Sequence, residues 1–85
     1  MTTIERDSMV AYCLIANSGG EVRADKLLGD YVTLYHNMYD VGVNEAEIAA
    51  VRAIEYLKKN NIIDADDNFS TFLGKDTNIR LNQNL

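Results

Sequence analysis

The sequence contains no proline and no tryptophan, and only one cysteine and one histidine. Average usage would place about four prolines in a chain this long, so nothing in it forbids long unbroken helices. A single cysteine, Cys13, cannot close an internal disulfide or assemble a zinc site. Inside the apolar run 9–16 it is expected as a small buried core residue. The lone histidine, His36, cannot build a histidine-based metal site, and no P-loop, Gly-x-Gly-x-x-Gly or Gly-x-Ser-x-Gly is present. The chain therefore reads as a protein that is not an enzyme and uses neither cofactor nor metal. Positive charge is also scarce. Eight lysines and arginines face 13 acidic residues, for a formal net charge of −5. Such a surface repels polyanions at long range, whereas nucleic-acid binders usually carry a basic face. No apolar run approaches the roughly 18–20 residues of a membrane span, the longest being 9–16. The first seven residues lack the basic-then-apolar layout of a secretory signal. The expectation is a soluble cytoplasmic protein without a membrane partner, folded as a single domain over 1–85 with 82–85 a frayed tail.

What is present is an ordinary globular composition, 47% hydrophobic in 85 residues, which builds one modest core that self-association would help. Thr2 and Glu5 have capping-box spacing, so a helix starts near residue 3 and runs through the apolar stretch to Ala16. Apolar on most sides, it is expected to be covered on most sides. Asn17-Ser18-Gly19-Gly20 stops it, and Glu21-Val22 gives a short extended stretch. A second helix begins near Arg23 or Ala24. Leu27, Tyr31, Leu34 and Met38 follow the spacing of one buried face, and Gly29 marks either a kink or a close contact. After a break at 40–43, Asn44 with Glu47 forms an N-cap for a third helix, which buries Ala50, Val51, Ile54 and Leu57 and ends near Lys59. Asn60 or Asn61 takes a left-handed cap. Strands follow at Ile62-Ile63, 69–73 and 79–81, separated by turns at 64–68 and 74–78.

This element order, with Gly19-Gly20-x-Val22 after the first helix and Tyr56-Leu-Lys-Lys-Asn-Asn-Ile-Ile63 closing the third, resembles the winged helix-turn-helix family. The resemblance covers about residues 4–82. It implies a mainly α fold with a small β-hairpin: a winged-helix-like three-helix domain with a C-terminal wing. It also implies DNA binding through the third helix and the wing, although some members bind only proteins. The residues depart from the DNA-binding pattern. Glu45 and Glu47 stand where the third helix would face phosphates, and Asp64, Asp66 and Asp67 stand at the wing tip. The segment between the second and third helices reads as longer than a tight helix-turn-helix turn. Arg23 and Lys26 are the cations that could reach phosphates from the second helix.

Other constellations are weaker. Asp64-x-Asp66-x-Asn68 begins like a calcium loop, but Phe69 and Lys75 stand where its glycine and final glutamate belong. His36 and Asp40 have the i, i+4 spacing of a surface pair. Leu28, Val32, Tyr35 and Tyr39 form a second apolar stripe on the second helix, beside the first. Together the two exceed the roughly 100° that packing on one core requires. Part of this stripe, Tyr35 and Tyr39 above all, is expected to contact another chain. The residues thus point to a small acidic regulator or inhibitor that binds another protein, of the kind phages and mobile elements encode. A basic nucleic-acid-binding protein is the natural target if the chain acts as a DNA mimic, and a homodimer is the other expected association. The candidate interface is Leu28, Val32, Tyr35, Tyr39, Glu45, Glu47, Asp64, Asp66 and Asp67. The alternative is a winged-helix transcription regulator that binds DNA as a dimer and pools its few cations. A structural subunit of a larger assembly is a third reading.

Overall fold

Thr2 opens the first helix by a reciprocal cap. Its hydroxyl accepts from the Glu5 amide at 3.2 Å while the Glu5 carboxylate accepts from the Thr2 amide at 3.2 Å, so two otherwise orphaned donors are satisfied at once. In the computed structural model, which describes residues 2–65 and 77–82, this helix is α1, Thr3–Asn17. The elements that follow are β1 (Glu21–Arg23), α2 (Ala24–Tyr39), α3 (Val43–Lys59), β2 (Ile63–Ala65) and β3 (Asn78–Leu81). Gly19 and Gly20 take φ of 85° and 90° to turn the chain from α1 into β1, a region that residues with a Cβ rarely enter. The fold is mainly helical with a small antiparallel sheet, as the element order implies.

The sheet has the order β1-β3-β2. Val22 faces Ile79 across β1 and β3, and Ile63 faces Leu81 across β2 and β3. The second strand begins one residue later than the pattern implies: Ile62 precedes it, and Asp64, expected in a turn, lies within it. Asn78, also expected in a turn, begins β3. Asn82 is not frayed, because its amide donates to the Ile62 carbonyl at 2.8 Å. The expected strand at 69–73, residues 74–76 of the expected turn, and Asp66 and Asp67 lie outside the described residues.

Helix α3 is the centre of the fold. It buries Ala46, Ala49, Ala50, Ala53, Ile54 and Leu57 against α1 and α2; Val51, expected on this face, is only half-buried. The helix does not start from Asn44. Gly42 is the N-cap, with no side-chain cap, and its carbonyl accepts from the Ala46 amide at 3.0 Å. Burial of Ala46 draws the first turn inward, so the helix starts before the polar cap signal. Residues 40–42 alone connect α2 to α3, with Asp40 in the left-handed region at φ 52°. This corrects the expected long connection, since three residues are within helix-turn-helix range. His36 does not pair with Asp40; its Nδ1–H donates to the Val41 carbonyl instead.

Two further corrections concern burial. On α1 only Asp7, Ser8, Ala11 and Ile15 are buried, so the helix is covered on one side. Cys13 is exposed, because 100° steps place it across the helix from Ala11 and Ile15. On α2 the buried line runs Leu27, Tyr31, Tyr35, an i, i+4, i+8 row. Leu34 and Met38, expected on that face, are 41% and 48% exposed.

Helix α2 passes through Gly29 without interruption. A Cβ added there would meet nothing within 4 Å, so neither the kink nor the close contact is present. Gly29→Ala should therefore raise stability by up to about 1 kcal/mol through helix propensity alone, read as a higher urea midpoint with an unchanged slope.

Candidate functional site

The third helix, packed on α2, leaves an open cleft between them. Leu28 and Val32, one turn apart on the flank of the buried row, are half-buried and form the floor. With Asp25, Gly29, Thr33 and Glu47 they line a cavity of about 470 Å³. Gly29 has no side chain to fill it. Glu47 is exposed on the second turn of α3, and Asp25 lies in the first turn of α2, where an acid suits the helix dipole. An apolar floor thus sits between two carboxylates.

The remaining expected interface residues are not brought to this cleft. Tyr35 is 6% exposed and belongs to a ladder of rings inside the chain. Tyr31 and Tyr35 stack at 5.4 Å between centroids with planes 15° apart, and Tyr39 leans on Tyr35 at 4.6 Å. Arg6 of α1 closes the ladder with its guanidinium carbon 4.1 Å from the Tyr39 ring centre, a cation–π contact. The same side chain donates to the Tyr35 hydroxyl at 3.1 Å and to the Asp7 carboxylate at 3.0 Å. Tyr31 is fully buried, and its hydroxyl donates to the Asp7 main-chain carbonyl at 3.0 Å. Tyr35 and Tyr39 therefore bind α2 to α1 within the chain, while Leu28 and Val32 of the same stripe line the open cleft. Glu45 lies on a separate, smaller cleft of about 250 Å³ with Asp7, Tyr35, Ile48 and Arg52 among its lining. Asp64 is on the sheet, 3.4 Å from Arg80. Sequence reasoning missed the ladder. Its signal was the four-residue spacing of Tyr31, Tyr35 and Tyr39 together with the Arg6-Asp7 pair on a neighbouring helix.

Among the described residues, three cations besides Arg6 are paired. Arg23 pairs with Asp25 at 3.1 Å, Lys26 with Asp30 at 2.7 Å and Arg80 with Asp64 at 3.4 Å. The two that could reach phosphates from α2 are thus each beside a carboxylate. Among the described residues, no three His, Cys, Asp or Glu side chains gather into a group that could hold a metal, and no helix is long and apolar enough to cross a membrane. The result is a three-helix domain with a small antiparallel sheet and an acid-rimmed apolar cleft. Comparison with protein-family models, curated proteins and solved structures gives no match.

Burial, with Asp7 next, pushes the Tyr31 hydroxyl well above its ordinary range, and burial also raises Tyr35. A raised folded pKa means the unfolded chain ionises first. The stabilisation is therefore complete below the ordinary tyrosine value of about 10 and is lost as pH rises beyond it. Tyr31→Phe should cost about 1 kcal/mol at neutral pH, the net worth of one hydrogen bond. It should also flatten the alkaline loss of stability, measured by urea titrations at neutral pH and above about pH 10.

Proposed function

We propose that this chain is a non-enzymatic, winged-helix-like regulator that acts by binding another protein, and that the partner enters the α2–α3 cleft with an apolar side chain flanked by basic ones. The observation that carries this reading is the floor of Leu28 and Val32 set between Asp25 and Glu47. The floor supplies burial, which drives association. Glu47 steers a basic partner and rejects an acidic one, while Asp25 already shares its charge with Arg23 at 3.1 Å. Exposed Glu45 and Glu47 lie on the part of α3 that, in the resembled family, would meet DNA. A basic nucleic-acid-binding protein is thus a natural target, with Glu45 and Glu47 standing in for phosphates. Inhibition by DNA mimicry is the form of regulation this charge pattern favours.

One observation favours the second reading, a DNA-binding regulator acting as a dimer: the three-residue connection at 40–42 suits a helix-turn-helix. Fluorescence anisotropy with labelled duplex DNA at low and moderate salt separates the two. The expected result is no salt-sensitive binding. Micromolar or tighter binding that weakens steeply with salt would contradict the protein-binding reading. Affinity capture with the wild type and with Gly29→Arg gives the positive arm. The substitution enters open space, so the fold should persist, while a bulky cation fills the cleft and opposes its charge. A basic protein retained by the wild type and lost by the variant is expected; equal retention would remove the cleft from the interaction.

A further inference from the structure

The smaller cleft, of about 250 Å³, lies where the start of α1, the end of α2 and the first half of α3 meet, and Glu45, Ile48, Ala49 and Arg52 of α3 form one of its walls. It holds charges of both signs. Asp7 is 6% exposed and already neutralised, because Arg6 donates to its Oδ1 through two nitrogens, at 3.1 and 3.0 Å. Glu45 and Arg52 are not neutralised. Both are exposed, and among the described residues neither makes an ion pair, whereas Arg6, Arg23 and Arg80 each do. The two stand seven residues apart on α3. At 100° and 1.5 Å per residue their side chains leave the same face of the helix, about 10 Å apart along its axis. Ile48 and Ala49 lie between them, and Val41 adds to this apolar wall.

We propose that this cleft binds a small ω-amino acid, with its ammonium on Glu45, its carboxylate on Arg52 and its methylene chain along Ile48 and Ala49. Charge selects a zwitterion. An anion is drawn by Arg52 and opposed by Glu45, and a cation meets the reverse, so a ligand with one charge gains little. A ligand with both satisfies each. The guanidinium receives a carboxylate through two parallel N–H donors, and here those donors have no carboxylate of the chain to serve. Spacing selects the ω form. Two helical turns separate Glu45 from Arg52, so an α-amino acid, with both charges on one carbon, engages only one end. Several methylenes reach both ends and cover the apolar wall, whose removal from water adds to binding. Size agrees: about 250 Å³ falls below the roughly 300–1,000 Å³ of sites for drug-sized ligands. The cleft shares no residue with the one between α2 and α3, so the two sites stand or fall separately.

Titration of the isotope-labelled chain with 6-aminohexanoate, followed by amide chemical shifts, tests the site. Shifts should saturate along residues 45–52, with a dissociation constant of about 1 mM or tighter. Hexanoate and hexylammonium each carry one of the two charges, and glycine carries both on one carbon. Each should bind at least tenfold more weakly. Glu45→Gln and Arg52→Gln alter exposed side chains, so both should keep the wild-type melting curve, yet each should lose at least tenfold in affinity for 6-aminohexanoate. Shifts that stay linear far above millimolar ligand, or that saturate away from α3, would overturn the site. Equal binding of hexanoate or hexylammonium would overturn the zwitterion, and equal binding of glycine would overturn the spacing. Undiminished affinity in either variant would overturn the assignment of that residue to its charge.

Discussion

The fold depends on how closely α1 and α2 approach α3. Four of the six residues α3 buries are alanines, at 46, 49, 50 and 53, and three of them are completely enclosed. Helix pairs settle at about 8–10 Å according to the side chains between them, and an alanine face permits the closer approach. Larger residues come from the other side: Ile15 from α1, and Leu27 and Tyr31 from α2, each almost wholly buried. An interior packed to crystal density accepts little added volume. The alanines are therefore as constraining as the large residues, and they fix the angle at which the helices present their outer faces.

That geometry has two consequences for the surface. Because Ala46 must sit in the core, α3 begins at Val43, the connection from α2 shrinks to three residues, and Glu47 is carried beside Leu28 and Val32. An apolar floor and an acidic rim from different helices become one cleft. Because Tyr31, Tyr35 and Tyr39 all turn toward α1, the aromatic row is consumed inside the chain, with Arg6 and Asp7 satisfying the hydroxyls of Tyr35 and Tyr31. The large apolar side chains that α2 leaves exposed are Leu34 and Met38, beside α1.

The elements themselves were legible. The capping box at Thr2, the double glycine after α1, the lysine pair ending α3 and the alternation at 79–81 all report local physics that survives folding. Burial was less legible, because periodicity defines a face only to within a residue or two. On α2 the choice between an i+3 step to Leu34 and an i+4 step to Tyr35 decides which stripe is core, and the packing partner, not the helix, makes that choice. Cys13 shows the same limit: the run 9–16 is apolar all round, and the sequence does not say which side lies against α3. The cleft was half legible. Leu28, Val32 and Glu47 could each be singled out, but joining them required the position of the α3 start, where the polar cap signal at Asn44 lost to burial of Ala46.

The central claim is that the α2–α3 cleft is where this protein meets its target. Amide hydrogen exchange of the chain, alone and with the partner bound, tests it most directly. Added protection is expected over residues 25–33 of α2 and around Glu47 in the second turn of α3, the residues that line the cleft. Protection confined to the sheet or to α1, with the cleft unchanged, would contradict it.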